Sequence, residues 1–345
     1  MVCYANKIVF YGIKYNLQLL SIIDTKLTAT MKTTKNATLI FLILGIFACT
    51  SKKQVDQEQA QVPIETSGEI AFGNMKLTYF IEGEGEPCFV CADAKIEKNC
   101  LSDNLKGNFQ FVFIEPRLLN SYDKPVDFSN VSLDTIVHDM EILRKKLGYD
   151  KIYLLGHSII GLFALEYAKK YLDNTKGVIM INTPPHFKSN YMDIVNANWE
   201  EKASTERKEI FLNNQQRLKE INKDSISEPK WNYLYYEARV PMDWYDPQHD
   251  VSNIYPLMDY LEAGLNQLVA MMQDYEISKS DLKVPIFLSL GKYDFIMPET
   301  IWDDYKDKLE TLTIYRFEKS GHFPHVEEQE LFDRNLLKWL NDNQI

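Results

Sequence analysis

The chain has 345 residues, of which 45% are hydrophobic, with 14 glycines and 13 prolines. This composition predicts one large folded domain, or one domain with an inserted subdomain, and excludes fibrous and largely disordered proteins. The formal net charge is −11. A surface this acidic repels phosphate backbones, so we expect no nucleic-acid partner.

The segment 31–48 has the pattern of an export signal. It begins with a short basic region after Met31, continues with an apolar run too short to span a bilayer, and ends at Ala48-Cys49. The end of this run resembles a bacterial lipobox, which implies cleavage before Cys49 and lipidation of its thiol. We therefore expect an exported lipoprotein anchored in a membrane of the bacterial cell envelope. An ordinary cleaved signal, or an uncleaved anchor, is the alternative.

The segments on either side of this signal differ from it and from each other. Residues 1–30 lack any comparable pattern, and Met31 begins a complete signal, so we expect 1–30 to be an upstream extension from a wrongly assigned start. Residues 49–67 are polar and predict a flexible tether. Folding is expected to begin at residue 68.

Short apolar runs and helical periodicities alternate over 68–185, the predicted first part of the core. Strands are predicted at 70–72, 77–81, 88–91, 109–114, 152–155 and 177–181, and helices at 133–147 and 159–171. Wholly apolar strands that alternate with helices predict an α/β fold, with a mostly parallel sheet covered by helices on both faces.

Residues 186–281 interrupt this alternation. The segment is polar, helical in pattern and rich in aromatic residues, among them Trp199, Trp231 and Trp244. We predict that it forms a helical cap over the functional site. The alternation resumes over 282–345, the second part of the core, with strands at 284–290 and 312–317 and helices at 299–309 and 328–340.

Three cysteines lie in the predicted domain: Cys88, Cys91 and Cys100. No second ligand pair follows the Cys88-x-x-Cys91 spacing, so we expect no metal site and no redox site. The three thiols are expected in the core. A disulfide from Cys100 to one of the others is the alternative outside the cytoplasm. We expect no organic cofactor either.

The strongest chemical signal is Gly156-His157-Ser158, which lies between a predicted strand and a predicted helix. Such a tight turn strains the serine backbone and raises its hydroxyl clear of the sheet. Asp294 and His322 each follow a later predicted strand. The order serine, acid, histidine predicts that His322 accepts the proton of Ser158 while Asp294 orients the imidazole.

Two alternative assignments apply to these residues. Asp294 could be an ordinary turn aspartate, and His325 competes with His322 as the base. Gly321 favours His322, because it gives that loop the flexible turn needed to reach the nucleophile. His157 is expected to pack beside the turn rather than take part in chemistry.

A family resemblance emerges from three short segments: Gly156-His157-Ser158, Gly291-Lys292-Tyr293-Asp294 and Gly321-His322-Phe323-Pro324. Together they resemble the capped α/β-hydrolases, and among these the prolyl aminopeptidase-like branch. The resemblance implies the α/β-hydrolase fold and a small-molecule ester, amide or short-peptide substrate.

The chain departs from the family pattern at two positions. Ile160 stands where the family usually has glycine, and Gly161 follows one residue later. The usual His-Gly-Gly is replaced by residues 91–95. An oxyanion hole needs only backbone N–H groups, so Ile159 and either Asp93 or Ala94 could still supply them. The Asp93 carboxylate would oppose an oxyanion unless it points away.

Two functions remain open. The first is a serine hydrolase that cleaves an ester or an amide through an acyl-enzyme. For an aminopeptidase, cap carboxylates such as Glu237 or Glu262 would have to bind a substrate ammonium group. The second is a non-catalytic binding or scaffold lipoprotein on a degenerate hydrolase fold. Epoxide and haloalkane hydrolysis need a carboxylate nucleophile, which Ser158 excludes. The sequence indicates no oligomeric state.

Overall fold

The computed structural model describes residues 66–255, 262–278 and 282–343. The predicted extension, signal peptide, Cys49 and nearly all of the predicted tether lie outside the described residues. The first strand begins at Ser67, one residue before the expected start of folding. No helix in the described ranges has the length and apolar character needed to cross a membrane.

Eight strands form one sheet. They are β1 Ser67–Phe72, β2 Met75–Glu82, β3 Glu86–Cys91, β4 Phe109–Glu115, β5 Ile152–His157, β6 Thr175–Ile181, β7 Ile286–Gly291 and β8 Leu312–Phe317. Their spatial order is β1-β2-β4-β3-β5-β6-β7-β8. β2 pairs antiparallel with β1 and β4, and the pairs from β4 to β8 are parallel.

Helices cover both faces of this sheet. In chain order they are α1 Ala94–Glu97, α2 Asp103–Lys106, α3 Leu133–Lys146, α4 Leu162–Lys170, α5 Tyr191–Lys202, α6 Thr205–Glu220, α7 Glu228–Asp243, α8 Glu262–Met272, α9 Pro324–Glu327 and α10 Gln329–Asp342. Buried residues of α3 and α4 join one core cluster, while those of α10 join the other. The predicted α/β class, with helices on both faces, is confirmed.

The apolar strands are explained by these two core clusters. Successive residues of a strand point to opposite faces, and in β5 Leu154 packs in one cluster while Leu155 packs in the other. Both are fully buried. A strand covered on both faces therefore needs apolar residues at nearly every position, which is why these runs do not alternate with polar residues.

The cysteines follow the same rule. Cys88 and Cys91 lie in different clusters on opposite faces of β3, so they cannot act as a pair of metal ligands. Cys88, Cys91 and Cys100 are all free and buried, and burial raises the pKa of each thiol. The expectation of core cysteines is met, and Cys100 forms no disulfide with either of the other two.

The helix predicted at 299–309 is wrong. The segment instead forms two short 3₁₀ turns, Glu299–Trp302 and Lys306–Lys308. The Trp302 indole N–H donates to the Thr183 carbonyl at 2.9 Å, and the Tyr305 hydroxyl donates to Glu276 at 2.8 Å. Trp302 ends the first turn and Tyr305 precedes the second, so the segment follows the partners of these two side chains rather than one continuous α-helix.

Four helices, α5 to α8, lie between β6 and β7, where the cap was predicted. Arg207 of α6 donates to the carbonyl groups of Pro241 and Trp244 at the end of α7. Helix α8 contacts the core through Gln267, whose side chain donates to the Val131 carbonyl at 2.7 Å. These contacts join the inserted helices to each other and to the sheet domain.

The close approach of α8 to the core gives a first testable prediction. A β-carbon at Gly264 would lie 1.9 Å from the Leu118 carbonyl oxygen. Gly264→Ala should therefore lower the free energy of unfolding by about 1–3 kcal/mol, because α8 must move away from this backbone. Gly107→Ala is the matched control, since its nearest atom would lie 3.5 Å away. Urea unfolding measures both, and equal stability of the two variants would contradict this packing.

Candidate active site

Loops from five neighbouring strands meet at one edge of the sheet. β3, β5, β6, β7 and β8 are consecutive and parallel, so their carboxyl ends lie together, where ligands bind in open α/β sheets. Asp93, Ser158, Asn182, Asp294 and His322 follow these five strands in turn. The structure therefore gathers the sequence-predicted residues at a single edge.

The turn at Ser158 has the strained backbone that a nucleophile elbow requires. The φ angle of Ser158 is +59°. The residue directly follows β5 and begins the 3₁₀ turn Ser158–Gly161, which leads into α4. The strand and the turn can approach only because two glycines face each other. A β-carbon at Gly156 would lie 2.4 Å from the Gly161 α-carbon, and one at Gly161 would lie 2.1 Å from the Thr183 hydroxyl oxygen.

This packing accounts for the first departure from the family pattern. Gly161, not residue 160, takes the position that must lack a side chain. Ile160 instead lines a small apolar cavity with residues from β3, β4 and α3, among them Cys91, Ile114 and Met140. The larger side chain therefore has room without disturbing the elbow.

The Asp294 carboxylate is the centre of a hydrogen-bond network. It is 1% exposed and lies 2.6 Å from His322 Nδ1. Its other oxygen accepts from the backbone N–H groups of Ile296 and Met297 at 3.0 and 2.8 Å. Burial alone would raise the pKa of Asp294, but the charge and hydrogen bond of His322, with the other donors, outweigh it and lower the pKa.

Asn182 belongs to the same network, and sequence reasoning missed it. Its amide N–H₂ donates to Asp294 at 2.5 Å and to the Gly321 carbonyl at 2.9 Å, and its side-chain oxygen accepts from the Gly291 N–H at 3.2 Å. The φ angle of Asn182 is +42°, a region that asparagine tolerates better than most residues. An asparagine directly after a buried strand was the available signal.

His322 is held by three of its polar groups. Nδ1 contacts Asp294, the backbone N–H donates to the Asp243 carbonyl at 2.5 Å, and the carbonyl accepts from His157 at 2.8 Å. Within the described residues Nε2 has no hydrogen-bond partner, and neither does the Ser158 hydroxyl. The two atoms are therefore available, although no hydrogen bond joins them here. Such bonds are often long before substrate binds.

The predicted oxyanion donors lie next to the elbow. Cys91 of β3 pairs in register with Gly156 of β5, which places the residues after each strand side by side. Asp93 caps α1, and its carboxylate accepts from the backbone N–H groups of Lys95 and Ile96 at 3.1 and 3.3 Å. The carboxylate is therefore directed into the first turn of its own helix. Burial raises the pKa of Asp93 to about 6.

A second buried network lies beside the elbow, and the sequence did not predict it. Glu97 is 1% exposed, and its two oxygens contact His157 Nδ1 at 2.5 Å and His325 Nε2 at 3.1 Å. Burial alone would raise the pKa of Glu97, but the two histidines outweigh burial and lower it. His325, the competing base, thus binds Glu97 rather than Asp294.

The same cluster contains the residues that come nearest to a metal site. Three possible ligand atoms lie within 4.8 Å of one another, one from each of Glu97, Cys100 and His325. Glu97 already has a histidine on each oxygen, and burial raises the pKa of the Cys100 thiol. Glu97 is therefore satisfied by the two histidines, while His325 Nδ1 has no partner among the described residues.

Comparison with known proteins identifies the family. The family model described as alpha/beta hydrolase fold matches residues 99–329. The chain belongs to the α/β-hydrolase fold family. This α/β hydrolase is 28% identical over 286 residues to the AB hydrolase superfamily protein YclE of Bacillus subtilis, covering 81% of this chain and 100% of that protein.

Two further proteins resemble this α/β hydrolase. A proline iminopeptidase of Elizabethkingia meningoseptica is 27% identical over 259 residues, which cover 67% of this chain and 80% of that protein. A solved structure of an alpha/beta fold family hydrolase from Bacillus anthracis superposes with a TM-score of 0.61 at 21% identity, over 81% of this chain and 99% of the other. The latter likeness supports the fold alone.

The raised pKa of Asp93 predicts how the stability of this hydrolase changes with pH. An unfolded aspartate titrates near pH ~3.9, so the folded state binds the extra proton between there and about 6. The resulting stabilisation is present below pH ~3.9 and is lost as the pH rises through about 6. Asparagine still caps a helix but cannot ionise.

The free energy of unfolding of the wild type should therefore fall, relative to Asp93→Asn, by about 1–3 kcal/mol between pH 4 and 7. Urea unfolding across this range measures the difference. Asp103→Asn, at an exposed position in α2, shows the effect of removing one surface carboxylate. A pH-independent difference between the wild type and Asp93→Asn would contradict the prediction.

Proposed function

We propose that this hydrolase cleaves an ester or amide bond of a small substrate through an acyl-enzyme on Ser158. The observation that carries the proposal is the Asp294–His322 pair at the sheet edge, 2.6 Å apart and buried, in which Nε2 has no hydrogen-bond partner among the described residues. An acidic partner on Nδ1 keeps the proton there, so Nε2 presents a lone pair to the nucleophile.

Each step then has a residue to perform it. His322 Nε2 accepts the Ser158 proton as the serine oxygen bonds to the substrate carbonyl carbon, and backbone N–H groups of Ile159 and of Asp93 or Ala94 stabilise the oxyanion. His322 gives the proton to the departing alcohol or amine. Water then attacks the acyl-enzyme, with His322 as base, and releases the acid and Ser158.

The cap gives no support to a choice of amide over ester. Glu262 pairs with Lys223 at 3.6 Å, and Glu237 is exposed and accepts only a long 3.4 Å hydrogen bond from Tyr233. Asp243 is fully buried but already forms an ion pair with Arg239 at 2.8 Å. Glu262 and Asp243 are thus paired with cations and Glu237 is exposed. These three carboxylates favour neither bond type, and both stay within the proposal.

The competing function is a non-catalytic binding or scaffold protein on a degenerate hydrolase fold. Two departures from the family pattern favour this function: Ile160 in place of glycine, and the absence of His-Gly-Gly. The packing of Gly161 against Gly156, and the Asp93 carboxylate that caps its own helix, support the catalytic proposal over this alternative. Covalent labelling by a fluorophosphonate separates the two functions, because only an activated serine reacts.

Substitution of the three residues tests the proposed mechanism. Ser158→Ala and His322→Ala should each lower the turnover of p-nitrophenyl acetate by about 10⁴- to 10⁶-fold, because the nucleophile and its base act as one unit. The double substitution should cost little more than either one. Asp294→Asn should lower turnover by about 10⁴-fold, because the imidazole loses its orienting acceptor.

The control for these variants is His138→Ala, which removes an exposed histidine of α3 whose ring contacts the Tyr171 hydroxyl. His325 is unsuitable as a control, because it belongs to the buried network on Glu97. Activity that survives in Ser158→Ala, or losses that add in the double variant, would overturn the proposed unit, whereas no turnover and no labelling in the wild type would favour the binding protein.

We also propose, from the sequence pattern at 31–49, that the protein is exported and anchored through a lipidated Cys49. Cys49 lies outside the described residues, so the proposal depends on the basic region, the apolar run and Ala48-Cys49. The folded domain would then act at a membrane surface, at the end of a tether of roughly 18 residues.

Mass spectrometry of the membrane fraction should find a diacylglycerol thioether on Cys49 and no peptide from residues 1–30. Cys49→Ser should release the protein from the membrane, while the neighbouring control Thr50→Ser should leave it attached. An unmodified Cys49 in membrane-bound protein would overturn the lipid anchor without affecting the proposed chemistry.

A further inference from the structure

The side chain of His157 lies between two acceptors. Its Nε2 is 2.8 Å from the His322 carbonyl oxygen, and its Nδ1 is 2.5 Å from a Glu97 oxygen. A carbonyl oxygen can only accept, so Nε2 must carry a hydrogen. His157 is 5% exposed and Glu97 is 1% exposed, so water does not substitute for either contact.

The protonation of the pair follows from these partners. An ionised Glu97 also accepts only, which requires a hydrogen on Nδ1 as well and makes His157 an imidazolium. Burial alone would lower the pKa of His157, but the charge of Glu97 outweighs burial and raises it. The pair is therefore a buried ion pair, and such a pair persists only where its geometry is well satisfied.

His325 completes the support of Glu97. Its Nε2 donates to the second Glu97 oxygen, while its buried Nδ1 has no partner. An unpartnered buried nitrogen favours the neutral ring, and burial lowers the pKa of His325. Glu97 thus receives one charged and one neutral donor, and its position is fixed from both sides.

We propose that Glu97 and His157 are positioning residues for His322, a role that rests on the proposed serine hydrolase mechanism. Glu97 fixes the His157 ring, and His157 fixes the backbone carbonyl of His322. Asp294 holds the ring of the same residue through Nδ1 and the Asp243 carbonyl holds its backbone N–H, so His157 adds a third contact, at the backbone carbonyl. Holding the residue in this way sets the direction of the imidazole, whose Nε2 must reach Ser158 in the proposed mechanism.

Two neutral amides at position 157 separate the two contacts. The Asn side-chain nitrogen stands near the Nδ1 position of histidine, so His157→Asn keeps a donor for Glu97 and loses the one for the His322 carbonyl. The Gln side-chain nitrogen stands near the Nε2 position, so His157→Gln does the reverse. Both variants remove the same charge and leave a polar group, which makes each the control for the other.

The readout is the second-order rate constant for labelling of Ser158 by a fluorophosphonate, together with kcat and KM for p-nitrophenyl acetate. His157→Asn should label about 10- to 100-fold more slowly, because a displaced base of this kind costs up to about 100-fold. Its kcat should fall in proportion with little change in KM. His157→Gln should stay within about fivefold of the wild type by the same reasoning.

Glu97→Gln provides an independent check. Its amide N–H can donate to Nδ1, which leaves His157 neutral but keeps the Nε2 donor, so labelling should again stay within about fivefold of the wild type. All rates are measured on protein that elutes as a folded monomer or oligomer and shows a cooperative thermal transition. This selection separates loss of positioning from loss of fold.

Two different failures can be told apart. If the wild type and Ser158→Ala label equally, the proposed function is wrong. If Ser158→Ala abolishes labelling while His157→Asn labels as fast as His157→Gln, the function stands and the positioning role is wrong. A change confined to KM, or a Gln variant that is slower than the Asn variant, would also overturn the positioning role.

Discussion

The structure of the site depends on keeping one carboxylate ionised in the protein interior. A buried carboxylate without partners is unfavourable by several kcal/mol, so Asp294 needs donors from several directions. It obtains them from its own loop, from Asn182 after β6 and from His322 after β8. The loops that follow three neighbouring strands must therefore close on one another. The ring of the proposed base is oriented as a consequence of this requirement, and the His157 contact to the His322 carbonyl adds to it.

The elbow at Ser158 is governed by steric limits instead. Its positive φ angle is unfavourable for a residue with a side chain, and the surrounding contacts must hold it. The Gly156–Gly161 contact and the Thr183 hydroxyl leave no space for the turn to relax. The sheet is thus responsible for the serine, and the network around Asp294 for the histidine. The two parts meet at His157, which directly precedes the serine and contacts the His322 carbonyl.

Local sequence patterns were sufficient to predict part of the fold and of the candidate site. Strand runs, the order of the three residues and the position of the inserted helices follow from short stretches of sequence, because burial on both faces and tight turns each restrict residue type locally. The same reasoning failed at 299–309, where Trp302 and Tyr305 are fixed by partners far away in sequence. Amphipathic periodicity alone cannot separate an α-helix from two anchored 3₁₀ turns.

Local sequence patterns could not predict the network on Glu97 either, because its members are also far apart in sequence. The contact between Glu97 and His157 joins residues 60 positions apart, and the one between Glu97 and His325 joins residues 228 positions apart. No sequence pattern links the three residues. Asn182 was nearer to detection, since a residue that tolerates positive φ follows a buried strand. Sequence reasoning therefore performs best where one residue's role is set by its neighbours in the chain, and worst where buried polar groups must satisfy one another.

The inserted helices are joined by hydrogen bonds to the loop that contains His322, although the two are far apart in the chain. The carbonyl of Asp243, at the end of α7, accepts from the His322 N–H, and Glu327 accepts from the backbone N–H groups of both Tyr245 and Gly321. Recombination that exchanged 186–281 as a whole would replace one partner in two of these three hydrogen bonds, those of Asp243 and Tyr245. A junction placed inside α7, before Val240, would keep them. Changes in α5 or in the first turns of α7 would therefore leave these backbone contacts in place, whereas a change at Arg207 of α6 would reach them through the Pro241 and Trp244 carbonyls.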